Sequence, residues 1–320
     1  MISHKILRRV FFLVAVVFIA VIYWPKYPSP GWDPDFYIAK VRSSRDGTLQ
    51  KIYYYRSTAK EAEPLVVSLH TWSGNYRQSD RDIALSAKKR GWNYIHPDAR
   101  GPNITVKACC SDFVISDIDE AIDWALKNFN VDESRIYMIG ASGGGYETLC
   151  MFMKSRHKIK TFAAWCPIAD LVAWYEESRV RKETYAGDII RCTDSKNGCL
   201  EVEKAKERSP LYWRTPVEKL KFSKLKIYAG IRDGHTGPVP FTHSARFYNK
   251  VLKDLDIKDE SQYASENDLI YMDKNGSFPV LKHEKIGDRA IFYRKQQGNV
   301  ELTIFDGGHE SLAEYALDLL

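Results

Sequence analysis

The sequence predicts an α/β fold: an open, mostly parallel sheet with helices on both faces and a cap inserted at one edge. Three observations predict it. Apolar β-branched runs alternate with segments of helical periodicity, as expected for right-handed βαβ crossovers. A glycine-flanked serine sits between a strand and a helix. A carboxylate and a histidine then follow at the ends of later strands.

The elements follow in order. Tyr37 to Arg42 and Leu49 to Arg56 flank Asp46-Gly47, a hairpin dipeptide. Pro64 to His70 (PLVVSLH) is apolar without alternation, the pattern of a strand buried on both faces. Trp92 to Pro97 reads as a weaker strand. From Asp112 to Phe129, Val114, Ile118, Ile122, Ala125, Leu126 and Phe129 recur at helical spacing. Arg135 to Gly140 is a strand and Gly144 to Lys154 a helix. Thr161 to Trp165 and Lys226 to Gly230 are strands, Phe241 to Leu255 is a helix, and Val300 to Phe305 is a last strand before a terminal helix. Two segments break the alternation. Asp170 to Arg214 (170–214), rich in charge and aromatics, is expected to be a cap over the active-site edge. Asp256 to Glu284 (256–284) is a polar excursion containing Asn275-Gly276.

Composition sets the class. The 320 residues are 44% hydrophobic and 28% charged, a globular balance that excludes disorder, collagen and a polytopic membrane protein. The formal charge is +6. Lys5, Arg8 and Arg9 precede the apolar run Val10 to Trp24, so the body carries only about +3, too slight for a nucleic-acid-binding face. That run has fifteen residues and spans about 22 Å as a helix, against a hydrocarbon core of roughly 30 Å. Residues 1–25 are therefore expected to be an uncleaved membrane anchor or a removed signal, with export of the remaining chain. Residues 26–36 form a Pro-rich linker, and 37–320 the catalytic domain. Six cysteines fit an oxidising compartment. Cys192 and Cys199, flanking a Gly/Asn/Asp-rich loop, are the expected pair. Cys109 and Cys110 are adjacent and seldom bond to each other, so one is expected to reach elsewhere. Cys150 and Cys166 read as core thiols.

Gly140-Ala141-Ser142-Gly143-Gly144 matches G-x-S-x-G after the strand RIYMI and before a helix. A nucleophilic serine on so sharp a turn needs small flanking residues. Serine needs a base, and the base an orienting carboxylate. In the order of the α/β-hydrolase fold the acid comes next and histidine last. His309 closes the glycine turn after the final strand. His157 is too close to the serine, His235 and His243 precede the last strand, and His283 lies in the polar excursion. Asp233, at the tip of IYAGIRD, is the expected acid, with Asp170 as runner-up and Asp306 too near His309 to orient it. Oxyanion donors are expected from the Gly143 N–H and from the loop after the early strand, from Trp72 or else Thr71. His70 then reads as a buried hydrogen-bonding prop. Trp72, Trp165, Trp174 and Trp213 are expected near the rim, where aromatic faces suit sugar rings. Arg100, Trp165 and His235 are candidate substrate contacts. No Gly-rich phosphate loop, metal cluster or nucleotide fingerprint occurs, so no cofactor and no metal are expected.

The segments GASGGGY (140–146), LHTW (69–72), RSPLYW (208–213), AGIRDGHTG (229–237) and GGH (307–309) together resemble the catalytic domain of prolyl-oligopeptidase-type α/β hydrolases over about residues 60–318. More narrowly the chain looks similar to exported bacterial carbohydrate esterases of the acetyl xylan esterase and pectin methylesterase kinds. The resemblance implies Ser142 as nucleophile, Asp233 as acid and His309 as base. Two departures stand out. Only some 35 residues precede the sheet where peptidases of the group carry a propeller, and Thr71 stands where many esterases have glycine. The expectation is a serine esterase more than a peptidase, acting on an ester-bearing carbohydrate. A serine peptidase acting on short peptides is the alternative, and a binding protein on an inactive hydrolase fold a third reading.

Overall fold

The structure is a computed structural model that describes residues 31–279 and 284–320. The expected anchor or signal and residues 26–30 of the linker lie outside the described residues. So does His283. Among the described residues no helix is long and apolar enough to cross a membrane.

Ten strands form one sheet: β1 (Tyr37–Arg42), β2 (Leu49–Tyr55), β3 (Glu63–Leu69), β4 (Asn93–Pro97), β5 (Val131–Ala141), β6 (Thr161–Trp165), β7 (Lys224–Gly230), β8 (Lys285–Ile286), β9 (Arg289–Gln297) and β10 (Val300–Phe305). Their order is β1-β2-β4-β3-β5-β6-β7-β10-β9-β8. The pairs from β4 through β10 are parallel, and antiparallel strands close both edges. The centre is parallel because strands such as β3 and β6 are buried on both faces and need covering helices on each side.

Nine α-helices accompany the sheet among the described residues: α1 (Arg81–Lys89), α2 (Asp112–Asn128), α3 (Gly143–Lys154), α4 (Leu171–Val180), α5 (Tyr185–Cys192), α6 (Val202–Glu207), α7 (Thr242–Asp254), α8 (Glu266–Asn275) and α9 (Ala313–Ala316). Side chains of successive strand residues divide between two cores. Leu65, Val67 and Leu69 join one with α2, α3 and α7, while Val66, Ile139 and Trp165 join the other with α1 and α9. Local chemistry sets the helix ends. The Ser111 hydroxyl accepts from the Phe113 and Val114 N–H groups at the start of α2. Gly276, at φ +59°, ends α8 inside the polar excursion. The inserted segment holds α4, α5, α6 and a 3-10 turn at Pro210–Tyr212.

Several expectations need correction. The expected Cys192–Cys199 pair is not formed. Cys192, the last residue of α5, faces the interior, whereas the turn after it leaves Cys199 exposed. The disulfide instead joins Cys110 to Cys150, tying the loop after β4 to α3. Arg100 does not face a substrate. Its guanidinium is 6% exposed and clamped by Asp117 and Asp46, donating also to the Ser43 hydroxyl at 2.7 Å. This clamp joins the β1–β2 hairpin to α2. Trp165 is not at the rim either. It is fully buried and stacked on Tyr228 at 4.1 Å between ring centres.

Removing one partner of a buried ion cluster leaves an uncompensated charge, which costs about 3 kcal/mol or more. Arg100→Met is therefore expected to lower the unfolding free energy by that amount, as checked by urea unfolding of the variant against the unsubstituted chain.

Candidate active site

The C-terminal ends of β5, β6, β7 and β10 lie side by side, so the loops leaving them meet. After β5 the chain turns through Ser142 at φ +58° and ψ −119°, a left-handed conformation that costs a non-glycine residue about 1–2 kcal/mol. Two hydrogen bonds hold the turn: the Ser142 N–H donates to the Trp165 carbonyl (2.9 Å), and the Ser142 carbonyl accepts from Tyr146 N–H (2.9 Å). Glycine is demanded on either side by backbone approach. A Cβ on Gly140 would lie 2.3 Å from the Gly144 oxygen, and one on Gly143 would lie 2.2 Å from the Trp72 nitrogen.

The second contact brings two backbone N–H groups together. As the first residue of α3, Gly143 has no acceptor within the helix, and its amide sits at the positive end of the helix dipole. In the loop after β3 the Thr71 N–H donates to the Gln78 side-chain oxygen at 2.9 Å, so that amide is occupied. The Trp72 amide is the one packed against Gly143. His70 holds this loop, its buried ring lying between the Thr71 and Asp98 carbonyl oxygens at 2.9 and 2.8 Å.

Asp233 follows β7 and His309 follows β10. The His309 Nδ1 lies 2.7 Å from Asp233 Oδ2, and the other carboxylate oxygen accepts from the Gly234 and Val239 N–H groups at 3.0 and 3.2 Å. The carboxylate is fully buried and the imidazole one-fifth exposed. A carboxylate only accepts, so the proton resides on Nδ1, and Nε2 keeps its lone pair. Gly237 completes the contact: a Cβ there would lie 2.4 Å from both Asp233 Oδ1 and the His309 Cβ.

The alternatives are engaged elsewhere. Asp170 caps α4 and accepts from the Tyr212 hydroxyl at 3.0 Å. Asp306 pairs with Arg232. His157 lies against Asp119 and Asp123, and His243 against Glu177. His235 is half-exposed two residues beyond Asp233, with Asp273 3.0 Å away. Of the expected rim tryptophans, Trp72 and Trp174 are buried and meet edge to face at 4.8 Å, whereas Trp213 stays partly exposed under the Lys154 ammonium.

The inserted segment bridges the two halves of the site. The Trp72 indole donates to Asp188 of α5 (3.1 Å), while Trp174 of α4 and Arg181 donate to the Pro238 carbonyl at 2.8 and 2.6 Å. Its helices thus touch both the Trp72 loop and the Asp233 loop. Cys166, read from its apolar neighbours as a core thiol, lies within 4.8 Å of the Asp233 and His309 polar atoms. Burial and the Asp233 charge push its thiol far above the usual range, so it stays protonated and donates to the Glu310 carbonyl at 3.3 Å. These three form the one group of His, Cys and carboxylate atoms among the described residues close enough to hold a metal ion. Glu147, on α3 behind the turn, is fully buried and pushed up to about 7 by that burial.

Gly237→Ala is expected to force Asp233 and His309 apart and lower kcat about 100-fold with little change in melting temperature, since small misplacements of catalytic groups cost that much. The Glu147 shift carries a pH signature. The unfolded chain releases this proton above about pH 4.5, whereas the folded chain keeps it to about pH 7, so stability falls as pH rises through this window and levels off above it. Glu147→Gln should remove about 3 kcal/mol of that loss, read from urea midpoints at pH 5 and pH 8.

Residues 86–265 match the prolyl oligopeptidase family. Among solved structures the chain is similar to an acylaminoacyl peptidase in complex with Z-Gly-Gly-Phe-chloromethyl ketone, with 21% identity and a TM-score of 0.54 over 69% of this chain and 36% of that one. The Pyrococcus horikoshii acylaminoacyl peptidase gives 20% and 0.54 over 74% and 37%. A puromycin-hydrolyzing peptidase of Mycobacterium tuberculosis gives 18% and 0.52 over 68% and 34%. These likenesses are of fold, and this chain spans about a third of the length of those proteins. Comparison with curated proteins gives no match. The expectation of an esterase ahead of a peptidase is overturned, because the matching family is that of prolyl oligopeptidase and these neighbours are peptidases. An α/β hydrolase in fold, this chain belongs to the prolyl oligopeptidase family of serine hydrolases.

Proposed function

We propose that the chain is a serine peptidase that cleaves short peptides, with Ser142 as nucleophile, His309 as general base and Asp233 as its orienting carboxylate. The observation that carries this reading is the 2.7 Å contact between Asp233 and His309 at the same sheet edge as the strained Ser142 turn. Family membership favours an amide as the bond broken.

The chemistry follows from the protonation states. With Nδ1 held by Asp233, the His309 Nε2 lone pair takes the hydroxyl proton as Ser142 Oγ attacks the substrate carbonyl. The Gly143 and Trp72 N–H groups receive the developing oxyanion, each such donor being worth about 3 kcal/mol. His309 then returns the proton to the departing amine, and water, activated by the same imidazole, releases the acid. Asp233 stays ionised and stabilises the imidazolium between these steps. The helices of the inserted segment span both loops of the site, which favours short substrates over folded chains. Export remains part of this reading, supported by the basic, apolar N-terminus and the Cys110–Cys150 disulfide.

Incubation with a short-peptide library and with aminoacyl anilides tests the proposal. Peptide-bond cleavage is expected, together with fluorophosphonate labelling of Ser142 and loss of at least about 10⁴-fold in kcat/KM for Ser142→Ala. Labelling of Ser142 without cleavage of any peptide would overturn the peptidase assignment, and cleavage that persists in Ser142→Ala would overturn the mechanism.

A further inference from the structure

We infer that Cys109 and Cys192 form a second disulfide, which fastens the helix at the edge of the site to the body of the protein. Their sulfurs lie 2.6 Å apart. That is well inside the roughly 3.5–4.0 Å at which non-bonded heavy atoms rest, so two separate thiols do not occupy these positions. Both side chains are buried, and neither belongs to the bond between Cys110 and Cys150.

The backbone of the loop supports the pairing independently. Cys109 and Cys110 have φ of +56° and +51°, two successive non-glycine residues in the left-handed region, which L-residues seldom adopt. The Cys109 N–H is held by the Asn103 side-chain oxygen at 2.6 Å. This turn sends neighbouring thiols to different helices: Cys110 reaches Cys150 on α3, and Cys109 reaches Cys192 at the end of α5. Arg208, at the end of α6, grips the same loop through the Ala108 and Val106 carbonyls, both at 3.1 Å. Tyr146 of α3 donates to the Arg208 carbonyl at 2.6 Å. Loop, α3 and inserted segment thus already form one packed junction, and the second bond locks it.

The chemistry balances as thiol–disulfide exchange. Cys109 and Cys192 together give up two electrons and two protons to an external disulfide of the glutathione or protein-oxidant class. The Sγ–Sγ bond forms as the oxidant's own S–S bond breaks to two thiols. In the folded protein burial pushes the Cys192 thiol well up, which disfavours the attacking thiolate. Once formed, the bond is buried and so shielded from external thiols. Its consequence for the site is positional: α5 carries Asp188, which holds the Trp72 indole, and Trp72 presents its amide beside Gly143.

Peptide mapping decides the question independently of the peptidase reading. The full chain, purified from an oxidising compartment or refolded with reduced and oxidised glutathione, is alkylated with iodoacetamide in guanidinium chloride without reductant and digested with trypsin. The expected product is a single species of three peptides, 108–127, 136–154 and 192–196, with alkylation confined to Cys166 and Cys199. In Cys110→Ser, peptides 108–127 and 192–196 should remain joined. Recovery of 192–196 as a free alkylated peptide, or joined to the Cys199 peptide 197–204, would overturn the proposal. Cys192→Ala is expected to melt about 5 °C lower. Unchanged melting would overturn the fastening role.

Discussion

The close approach of two backbone segments beneath Ser142 is the constraint on which the rest depends. Strand β5 must end, the chain must reverse through a left-handed serine, and α3 must begin with its first turn pressed against the loop leaving β3. Leu69 O and Trp72 N lie where side chains on Gly144 and Gly143 would have to sit. The same contact that forbids a Cβ also places two amides beside one another. Packing and chemistry therefore share one cause: the serine is raised from the sheet because nothing but glycine fits under it.

Around this point the parallel sheet does the positioning. Because β5, β6, β7 and β10 run the same way, their carboxyl ends deliver Ser142, Cys166, Asp233 and His309 to one edge although the residues span more than half the chain. Asp233 has little freedom. Two backbone N–H groups and the His309 ring surround its carboxylate, and Gly237 leaves no room for either partner to shift. Trp72, Trp174, Asp188 and Pro238 then tie the inserted segment across both loops, so the wall of the site and its reactive groups form one unit.

Much of this was legible in the sequence. Thr161–Trp165 and Val300–Phe305 form strands over the expected residues, the first buried throughout and the second buried at all positions but Glu301. The order of serine, acid and histidine pointed to Asp233 and His309, which touch, and to Ser142 at the same sheet edge, since each follows a strand end. What was not legible depended on facing and distance. β9, next to the edge strand β8, mixes Arg, Lys and Gln with its apolar residues because most of its side chains stay partly exposed, and it gave no strand signal. Helix α1, with three buried residues, was equally faint. Arg100 and Trp165 lie in loops or strand ends that look functional, but only the fold shows one pointing into Asp117 and the other into Tyr228. The Cys110–Cys150 bond spans 40 residues, so local loop composition pointed to the wrong partner for Cys192. Cys166 beside Asp233 and the constraint at Gly237 carried no sequence signal beyond their place next to strand ends.

The most direct test of the central claim is a double-mutant cycle on peptide hydrolysis, comparing kcat/KM for His309→Ala, Asp233→Ala and the double variant. If the two side chains act as one unit, the double variant should be no slower than His309→Ala alone, because an orienting carboxylate has nothing to orient once the imidazole is gone. Losses that multiply, or a His309→Ala enzyme that keeps its rate, would contradict the account.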